Sequence, residues 1–468
     1  MLIKFYNTYS RQLETFEPIN PPTVKIYTCG PTVYAFAHIG NFRAYVFEDL
    51  LQRHLEIRGF KVERVMNLTD VDDKTIRGSR EAGVSLTEFT AKFRKSFFED
   101  IETLHIKRAA FSPAATDPEN LEKMIEMIDQ LIKQGYAYQG DDGSVYFRIS
   151  KFPDYGKLAH LNLEELRPTG RIQDDEYDKE NIGDFALWKA WDEKDGAVGW
   201  EAPWGRGRPG WHIECSAMAT RILGPELDIH CGGVDNIFPH HEAEIAQSEC
   251  VTHTKFVRYW LHCAHLLVDG QKMSKSLGNF FTLRDLLEKG FSGRELRYAL
   301  IRVNYRLPLN FTFEGLAEAR QSLLRIDEWV RRLQDIAGNA APDSEFAPAK
   351  SEGFFEALDD DLNISAALAE VFNRIRDTNR LVDHGELTAG QAAALLAWWR
   401  PINQVLQVEE NAEAIPEEVA LLVQKREEAR AARDWAQSDL LRAEIESLGW
   451  LVKDTKDGPK LTKVSGKR

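Results

Sequence analysis

The sequence predicts an α/β fold: a Rossmann-type parallel-sheet core split by an inserted domain, followed by a helical bundle and a small C-terminal domain. Three observations carry this. Residues 24–28 form a short apolar strand that runs into the turn Cys29-Gly30-Pro31. A helix follows, with Phe47, Leu50, Leu51 and Leu55 on one face and Gly59 closing it, and then a second apolar stretch over 62–68, so the segment reads as a βαβ unit. A second α/β block starts at Leu227-Asp228-Ile229-His230, passes through the helix after Pro239 and ends at Leu266-Leu267-Val268. Between the blocks, residues 112–205 differ in character: 144–149 reads as a hairpin strand, and aspartates and tyrosines crowd the loops.

Taken in order, residues 1–111 supply the first half of the core, 112–205 the insertion and 206–270 the second half. The first helix is expected to begin near Arg43. The pattern after residue 270 is mostly helical, with a contact region at 271–336, a helical bundle at 351–406 and a last domain at 417–468. The breaks at 337–350 and 407–416 are rich in Pro, Ala or Glu and read as linkers. In the last domain, residues 425–448 read as one strong helix former, and Asp457-Gly458 signals a hairpin turn.

A chain of 468 residues calls for several domains, and its formal charge of -15 is the wrong sign for coating polyanions indiscriminately. Any nucleic-acid contact must be local. The acid excess has a place: residues 339–424 are net -11, whereas 425–468 are net +3. The longest apolar run, 392–399, is far short of the ~18–20 residues that span a bilayer, and the N-terminus lacks a signal-peptide core, so no membrane association is expected. Five cysteines, at 29, 215, 231, 250 and 263, suit reduced thiols in the cytoplasm.

Three constellations carry chemistry. His38-Ile39-Gly40-Asn41 sits at a helix start, where free N–H groups and the dipole favour phosphate and a glycine admits a nucleotide close to the backbone. By itself the tetrapeptide equally fits a histidine capping a helix beside a structural glycine. Lys272-Met273-Ser274-Lys275-Ser276, followed by Leu277-Gly278-Asn279, offers two ammonium groups on a loop that could clamp triphosphate oxygens; a plain solvated basic loop is the alternative. His240 and Glu244 lie i,i+4 on one helix face and, with Cys215 and Cys29, make a plausible tetrahedral zinc shell, for which Cys231, His230, His241 and Cys250 compete. In the last domain, Arg430, Arg433, Asp434, Trp435, Asp439 and Arg442 interleave charge with an aromatic ring, which suits RNA loops as well as it suits a solvated amphipathic helix.

The first two motifs resemble the HIGH and KMSKS signatures of class I aminoacyl-tRNA synthetases, and the chain is similar to the cysteinyl-tRNA synthetases among them. The narrower match runs through Tyr27-Thr28-Cys29-Gly30-Pro31-Thr32-Val33-Tyr34, Asn67 to Lys74, Arg208-Pro209-Gly210-Trp211-His212-Ile213-Glu214-Cys215-Ser216-Ala217-Met218, Phe238-Pro239-His240-His241-Glu242 with Glu244, and Lys272 to Phe280. One position departs: Asn41 stands where the family usually has a second histidine, and an amide can donate to phosphate but cannot become cationic.

The resemblance implies a two-step ligase for the substrates L-cysteine, ATP and tRNA(Cys): cysteinyl-adenylate forms with loss of pyrophosphate, then passes to the 2′-hydroxyl of the terminal adenosine. It implies that His38, Lys272 and Lys275 are catalytic, that His38, Gly40, Asn41 and Lys275 bind ATP, and that Thr69 and Trp211 line the cysteine pocket. It selects Cys29, Cys215, His240 and Glu244 as ligands of one Zn²⁺ per chain, and it makes 417–468 an anticodon-binding domain in which Arg430, Asp439 and Asp454 read bases. Zinc would explain selectivity, because apolar pockets separate near-isosteres by only about 10- to 200-fold, whereas a soft metal takes a thiolate and refuses a hydroxyl. Mg²⁺ is expected with ATP, and a cytoplasmic monomer is expected. The rival readings are a paralogous ligase that passes cysteine to an amino-sugar, against which the net positive 425–468 segment argues, and a catalytically inactive zinc-dependent tRNA-binding protein.

Overall fold

The computed structural model describes residues 2–161, 171–172, 183–274, 276–409, 416–455 and 458–463. An antiparallel hairpin of β1 (Lys4–Asn7) and β2 (Gln12–Thr15) leads to β3 (Thr23–Thr28). From β3 the chain enters α1 (Ile39–Ile57) and returns through β4 (Lys61–Met66), which pairs in parallel with β3 from Lys61 opposite Thr23 to Met66 opposite Thr28. The helix starts at Ile39, ahead of the expected Arg43, because its cap lies outside the apolar periodicity. His38 is the N-cap, its imidazole accepting from the Asn41 N–H while the Asn41 side chain accepts from the His38 N–H. Helices α2 (Asp73–Ala82) and α3 (Leu86–Thr103) follow.

The insertion opens with α4 (Pro118–Lys133), which packs Met124, Met127, Ile128 and Leu131 against the apolar side of a small sheet. That sheet comprises β5 (Ala137–Gln139), β6 (Val145–Phe147), β7 (Arg171–Ile172) and β8 (Asp184–Ala190), in the order β5-β6-β8-β7, with β9 (Gly207–Pro209) also on β8. Since β9 pairs with β8 through Pro209 opposite Trp188, the inserted sheet runs past residue 205.

After α5 (Trp211–Leu223) come β10 (Leu227–Gly233), α6 (Glu242–Thr252) and β11 (Val257–Cys263), the second βαβ block. The main sheet has the order β11-β10-β3-β4 and every pair in it is parallel. Chain order reverses between β3 and β10, so the carboxyl ends of these two strands frame the crevice in which ligands of open α/β sheets bind.

Strands β12 (Leu266–Val268) and β13 (Gln271–Lys272) form a short sheet that is completed, beyond α7 (Leu283–Glu288) and α8 (Gly293–Ile301), by β14 (Leu309–Phe311). Helices α9 (Phe313–Ala337), α10 (Gly353–Asp359), α11 (Ile364–Asp383) and α12 (Ala389–Leu406) make the bundle, with Trp329 edge-on to both Trp398 and Trp399 in its core.

The C-terminal unit is α13 (Glu417–Ala431), α14 (Trp435–Ser447) and an antiparallel hairpin of β15 (Trp450–Thr455) and β16 (Gly458–Lys463). The single helix expected over 425–448 is broken here. Arg433 takes a left-handed φ of 59°, and Asp434 then caps α14 by accepting from the Gln437 N–H at 3.0 Å. Local capping chemistry overrides the helix-forming composition. Of the expected turn, Asp457 lies outside the described residues; Thr455 opposite Gly458 sets the hairpin register. Among the described residues no helix is long and apolar enough to cross a membrane.

Candidate active site and metal centre

Cys29 follows the last residue of β3, at the point where chain order reverses, and Gly30 beside it lets the ends of β3 and β4 cross closely. A Cβ on Gly30 would fall 1.7 Å from the Asn67 carbonyl oxygen. Cys215 lies on α5, and His240 and Glu244 lie on the turn into α6 and its first turn. The structure brings Cys29, Cys215, His240 and Glu244 together, with one ligand atom from each inside a 4.8 Å cluster. A second set, Cys29, His230, His241 and Glu244, meets the same criterion. The remaining competitors for the metal, Cys231 and Cys250, belong to neither set.

Hydrogen bonds distinguish the two sets. His240 Nε2 lies 3.1 Å from Glu244 Oε1, and that oxygen is buried without a hydrogen-bond partner among the described residues. The other nitrogen of His240, Nδ1, faces His212 Nδ1 at 3.0 Å. The other oxygen of Glu244, Oε2, faces His230 Nε2 at 3.0 Å. His241 Nε2 lies 3.3 Å from Cys29 Sγ, and its Nδ1 continues to His262 Nε2 at 2.8 Å and so to Thr8 Oγ1. His230 and His241 thus hold members of the first set from outside.

Burial sets the protonation of these groups. It pushes the Cys29 thiol up and the Cys215 thiol well up, and it lowers His240, His212 and His262 to about 3. Burial thus favours protonated Cys29 and Cys215 thiols and a neutral His240 imidazole, so thiolate ligation there would need the charge of a metal ion.

Around this floor, Trp211 at the start of α5 stacks on the His240 ring, centroids 4.2 Å apart. Thr69, at the end of β4, is buried, and its hydroxyl donates to Glu214 Oε2 at 2.9 Å. The sequence by itself assigns no role to His212, His262 or Glu214. The one signal it holds is crowding, since five of the chain's 12 histidines fall at 212, 230, 240, 241 and 262.

The two signature segments meet each other at the start of α1. Gly40 sits where a Cβ would come 3.0 Å from the His38 ring and 3.3 Å from Met273 Cε. The His38 ring meets Phe280 edge-on at 5.2 Å, and Ile39 N–H donates to the Phe281 carbonyl at 3.0 Å. Lys272 is exposed on β13. Within the loop, Asn279 accepts from the Ser274 N–H at 2.8 Å and donates to the Lys272 carbonyl at 3.2 Å. Lys275 lies outside the described residues.

In the C-terminal unit, Asp439 is exposed. Arg430 reaches Asp454 at 3.1 Å and lies over the Trp435 ring at 5.9 Å. Asp454 is gripped by buried Arg426 at 2.9 and 3.0 Å, a hydrogen-bonded pairing that holds its carboxyl below the usual range.

The comparisons with known proteins follow the same division. Residues 15–321 match the model of the tRNA synthetases class I (C) catalytic domain, 353–408 the DALR domain, and 412–459 the cysteinyl-tRNA ligase anticodon binding domain. A cysteine–tRNA ligase of Chlamydia muridarum (strain MoPn / Nigg) is 54% identical, covering 98% of this chain and 99% of that protein. One of Protochlamydia amoebophila (strain UWE25) is 47% identical, covering 98% of each. A solved Mycobacterium tuberculosis methionyl-tRNA synthetase in complex with methionyl-adenylate shares the fold, with TM-score 0.61 at 15% identity, covering 82% of this chain and 89% of that one. The chain belongs to the cysteine–tRNA ligase family of class I tRNA synthetases.

Proposed function

We propose that the chain ligates cysteine to tRNA(Cys), first forming cysteinyl-adenylate and pyrophosphate from cysteine and ATP, then transferring cysteine to the 2′-hydroxyl of the terminal adenosine. The observation that carries this is a two-thiol donor set that includes Cys29 at the carboxyl end of β3, followed in the chain by α1, whose His38–Gly40 start packs against Met273 of the loop after Lys272.

One Zn²⁺ per chain is held by Cys29, Cys215, His240 and Glu244. The fit rests on Glu244 Oε1, which has no hydrogen-bond partner among the described residues and lies 3.1 Å from His240 Nε2, and on the soft thiol donors. When bound, zinc supplies a soft Lewis acid that takes the substrate sulfur as a thiolate and leaves a serine hydroxyl unbound. The protein's part is orientation. His240 Nδ1 pairs with His212 Nδ1, and with the proton on His240 the Nε2 lone pair would be free for the metal; His230 holds the second Glu244 oxygen, and Trp211 walls the amino-acid pocket by stacking on His240. Thr69, tied to Glu214, aligns the end of β4 with α5 on the cysteine side of the crevice.

The nucleotide lies at the start of α1. His38 and the Gly40 backbone hold its phosphates, and Asn41 spends its amide oxygen on the helix cap and keeps its N–H₂ for phosphate. Lys272 and Lys275 stabilise the transferring and leaving phosphates, and Mg²⁺ accompanies ATP. At the far end Arg430, aimed by Asp454, and exposed Asp439 read the anticodon, with Trp435 offering a stacking face. The enzyme works as a monomer in the cytoplasm.

The test is cysteine-dependent ATP–pyrophosphate exchange, then charging of tRNA(Cys) and of an amino-sugar acceptor. Exchange and tRNA charging are expected. Absence of exchange, or transfer to the sugar alone, overturns the reading.

A further inference from the structure

Between α10 and α11 the chain makes a tight turn in which Asp361 and Leu362 take left-handed φ angles of 57° and 51° in succession, and Leu362 is 1% exposed. Two adjacent left-handed residues that are neither glycine nor, at 362, polar are held only where the surroundings determine them. The surroundings here belong to other parts of the molecule. Asp359 accepts from His54 Nε2 at 2.9 Å and from Arg58 Nε and Nη2 at 2.9 and 2.6 Å, all at the C-terminal end of α1. The Asp361 N–H donates to the Lys4 carbonyl at 3.0 Å, and the Asp361 carboxylate accepts from the Tyr6 N–H at 2.8 Å, Tyr305 Oη at 2.7 Å and Arg306 Nε at 2.6 Å.

The loop carrying Tyr305 and Arg306 is in turn gripped from the start of α1. Arg43, five residues past the His38 cap, donates from Nη2 to the Val303 and Asn304 carbonyls at 2.9 and 3.0 Å and from Nη1 to that of Leu300. Tyr305 itself stacks on Phe47 of the same helix at 4.3 Å. One turn of the bundle therefore holds α1 at both ends, directly through His54 and Arg58 and indirectly through the 303–306 loop and Arg43.

We propose that Asp359 and Asp361 are positioning residues: they fix the bundle, and the anticodon unit that follows it in the chain, relative to the nucleotide end of α1, so that a tRNA held at its far end meets the adenylate in register. The proposal rests on the ligase reading above. Adenylate formation needs only the catalytic half; charging of a full-length tRNA needs both halves in register.

The test uses Asp361→Asn and, as an independent variant should that one fold poorly, Asp359→Asn, both in the full chain. Cysteine-dependent ATP–pyrophosphate exchange should stay within about twofold of the unsubstituted chain, while KM for full-length tRNA(Cys) rises by ~tenfold or more, a usual size for coupling between sites. An acceptor-stem minihelix, which never reaches the anticodon unit, should be charged equally by variant and parent. In Asp361→Asn, hydrogen exchange should quicken at Tyr6 and at 303–306 and stay unchanged in the centre of α12. A parallel loss in exchange, an equal loss with the minihelix, or unaltered amides at Tyr6 and 303–306 overturns the joint. A parent chain without exchange activity would overturn the ligase reading instead, and the amide measurement would still decide the joint.

Discussion

The floor and the roof of the crevice draw on the same few residue types and hold them differently. On the floor, Cys215, His240 and Glu244 are each at most 1% exposed, and the second polar atoms of His240 and Glu244 are occupied by neighbouring histidines. On the roof, Lys272 is exposed, and among the described residues of the loop Asn279 bonds Ser274 and Lys272, while Met273 and the following Phe280 approach Gly40 and His38. On the proposed reading the floor would choose the substrate, since three of its four donors are buried and His240 and Glu244 are braced, and such donors adapt poorly to a wrong ligand. On the same reading, an exposed Lys272 would follow charge that moves during reaction, which needs reach more than rigidity.

The largest test of that contrast removes a floor ligand. Cys215→Ala should lose stoichiometric zinc by metal analysis, cut kcat/KM for cysteine by more than the ~10- to 100-fold typical of outer partners, and let serine discrimination fall to pocket-only levels. Unchanged zinc content would refute the ligand assignment. Lys272→Ala should instead slow adenylate formation ~10²-fold with little change in cysteine affinity, read by exchange kinetics against cysteine KM. Equal losses in both would place the lysine in ground-state binding.

Burial under the floor also carries a pH signature. Glu48 on α1 is fully enclosed, and burial pushes its carboxyl from 4.5 up to about 8 against the pull of Arg64 and Thr28. Below about pH 4.5 the group is protonated in folded and unfolded chains alike. Between 4.5 and 8 the folded chain keeps a proton that the unfolded chain has released, so stability falls as pH rises. Glu48→Gln should therefore match the parent near pH 4.5 and exceed it by ~4 kcal/mol at pH 8, measured by denaturant unfolding. At the seam of floor and roof, Asn41→Ala should cost ~1 kcal/mol through the lost cap, whereas Asn41→His keeps an acceptor for the His38 N–H and should leave the unfolding midpoint in place.

Much of this is legible in the sequence where neighbours in space are neighbours in motif. The βαβ units and the insertion can be named from 468 letters, whereas Cys29, Cys215, His240 and Glu244 are singled out only by the family resemblance, since spacing leaves Cys231, His230, His241 and Cys250 in competition. The bracing roles cannot be named: His230 reads as a competing ligand and His262, in an apolar strand, has no assigned role until strand order puts β10 beside both β3 and β11. Apolar periodicity begins only after the cap, and it therefore places the start of α1 too late. Composition gives no hint that Arg433 turns left-handed, so 425–448 reads as one continuous helix. Asp359 and Asp361 look like two more members of the acid excess of 339–424; their partners come from segments about 50 to 355 residues away.

The reversal of chain order between β3 and β10 also sets a timetable for synthesis. Ile26 waits for Ile229, 203 residues later, before the inner edge of β3 is paired, and Cys29 waits longer still for His240 and Glu244. At about 5–20 residues per second this leaves an apolar strand edge open for roughly 10–40 s on the ribosome. Throughout that interval the nascent N-terminal half is open to wrong pairing, and the Cys29 thiol is open to oxidation. Much of the delay is the time taken to make the insertion.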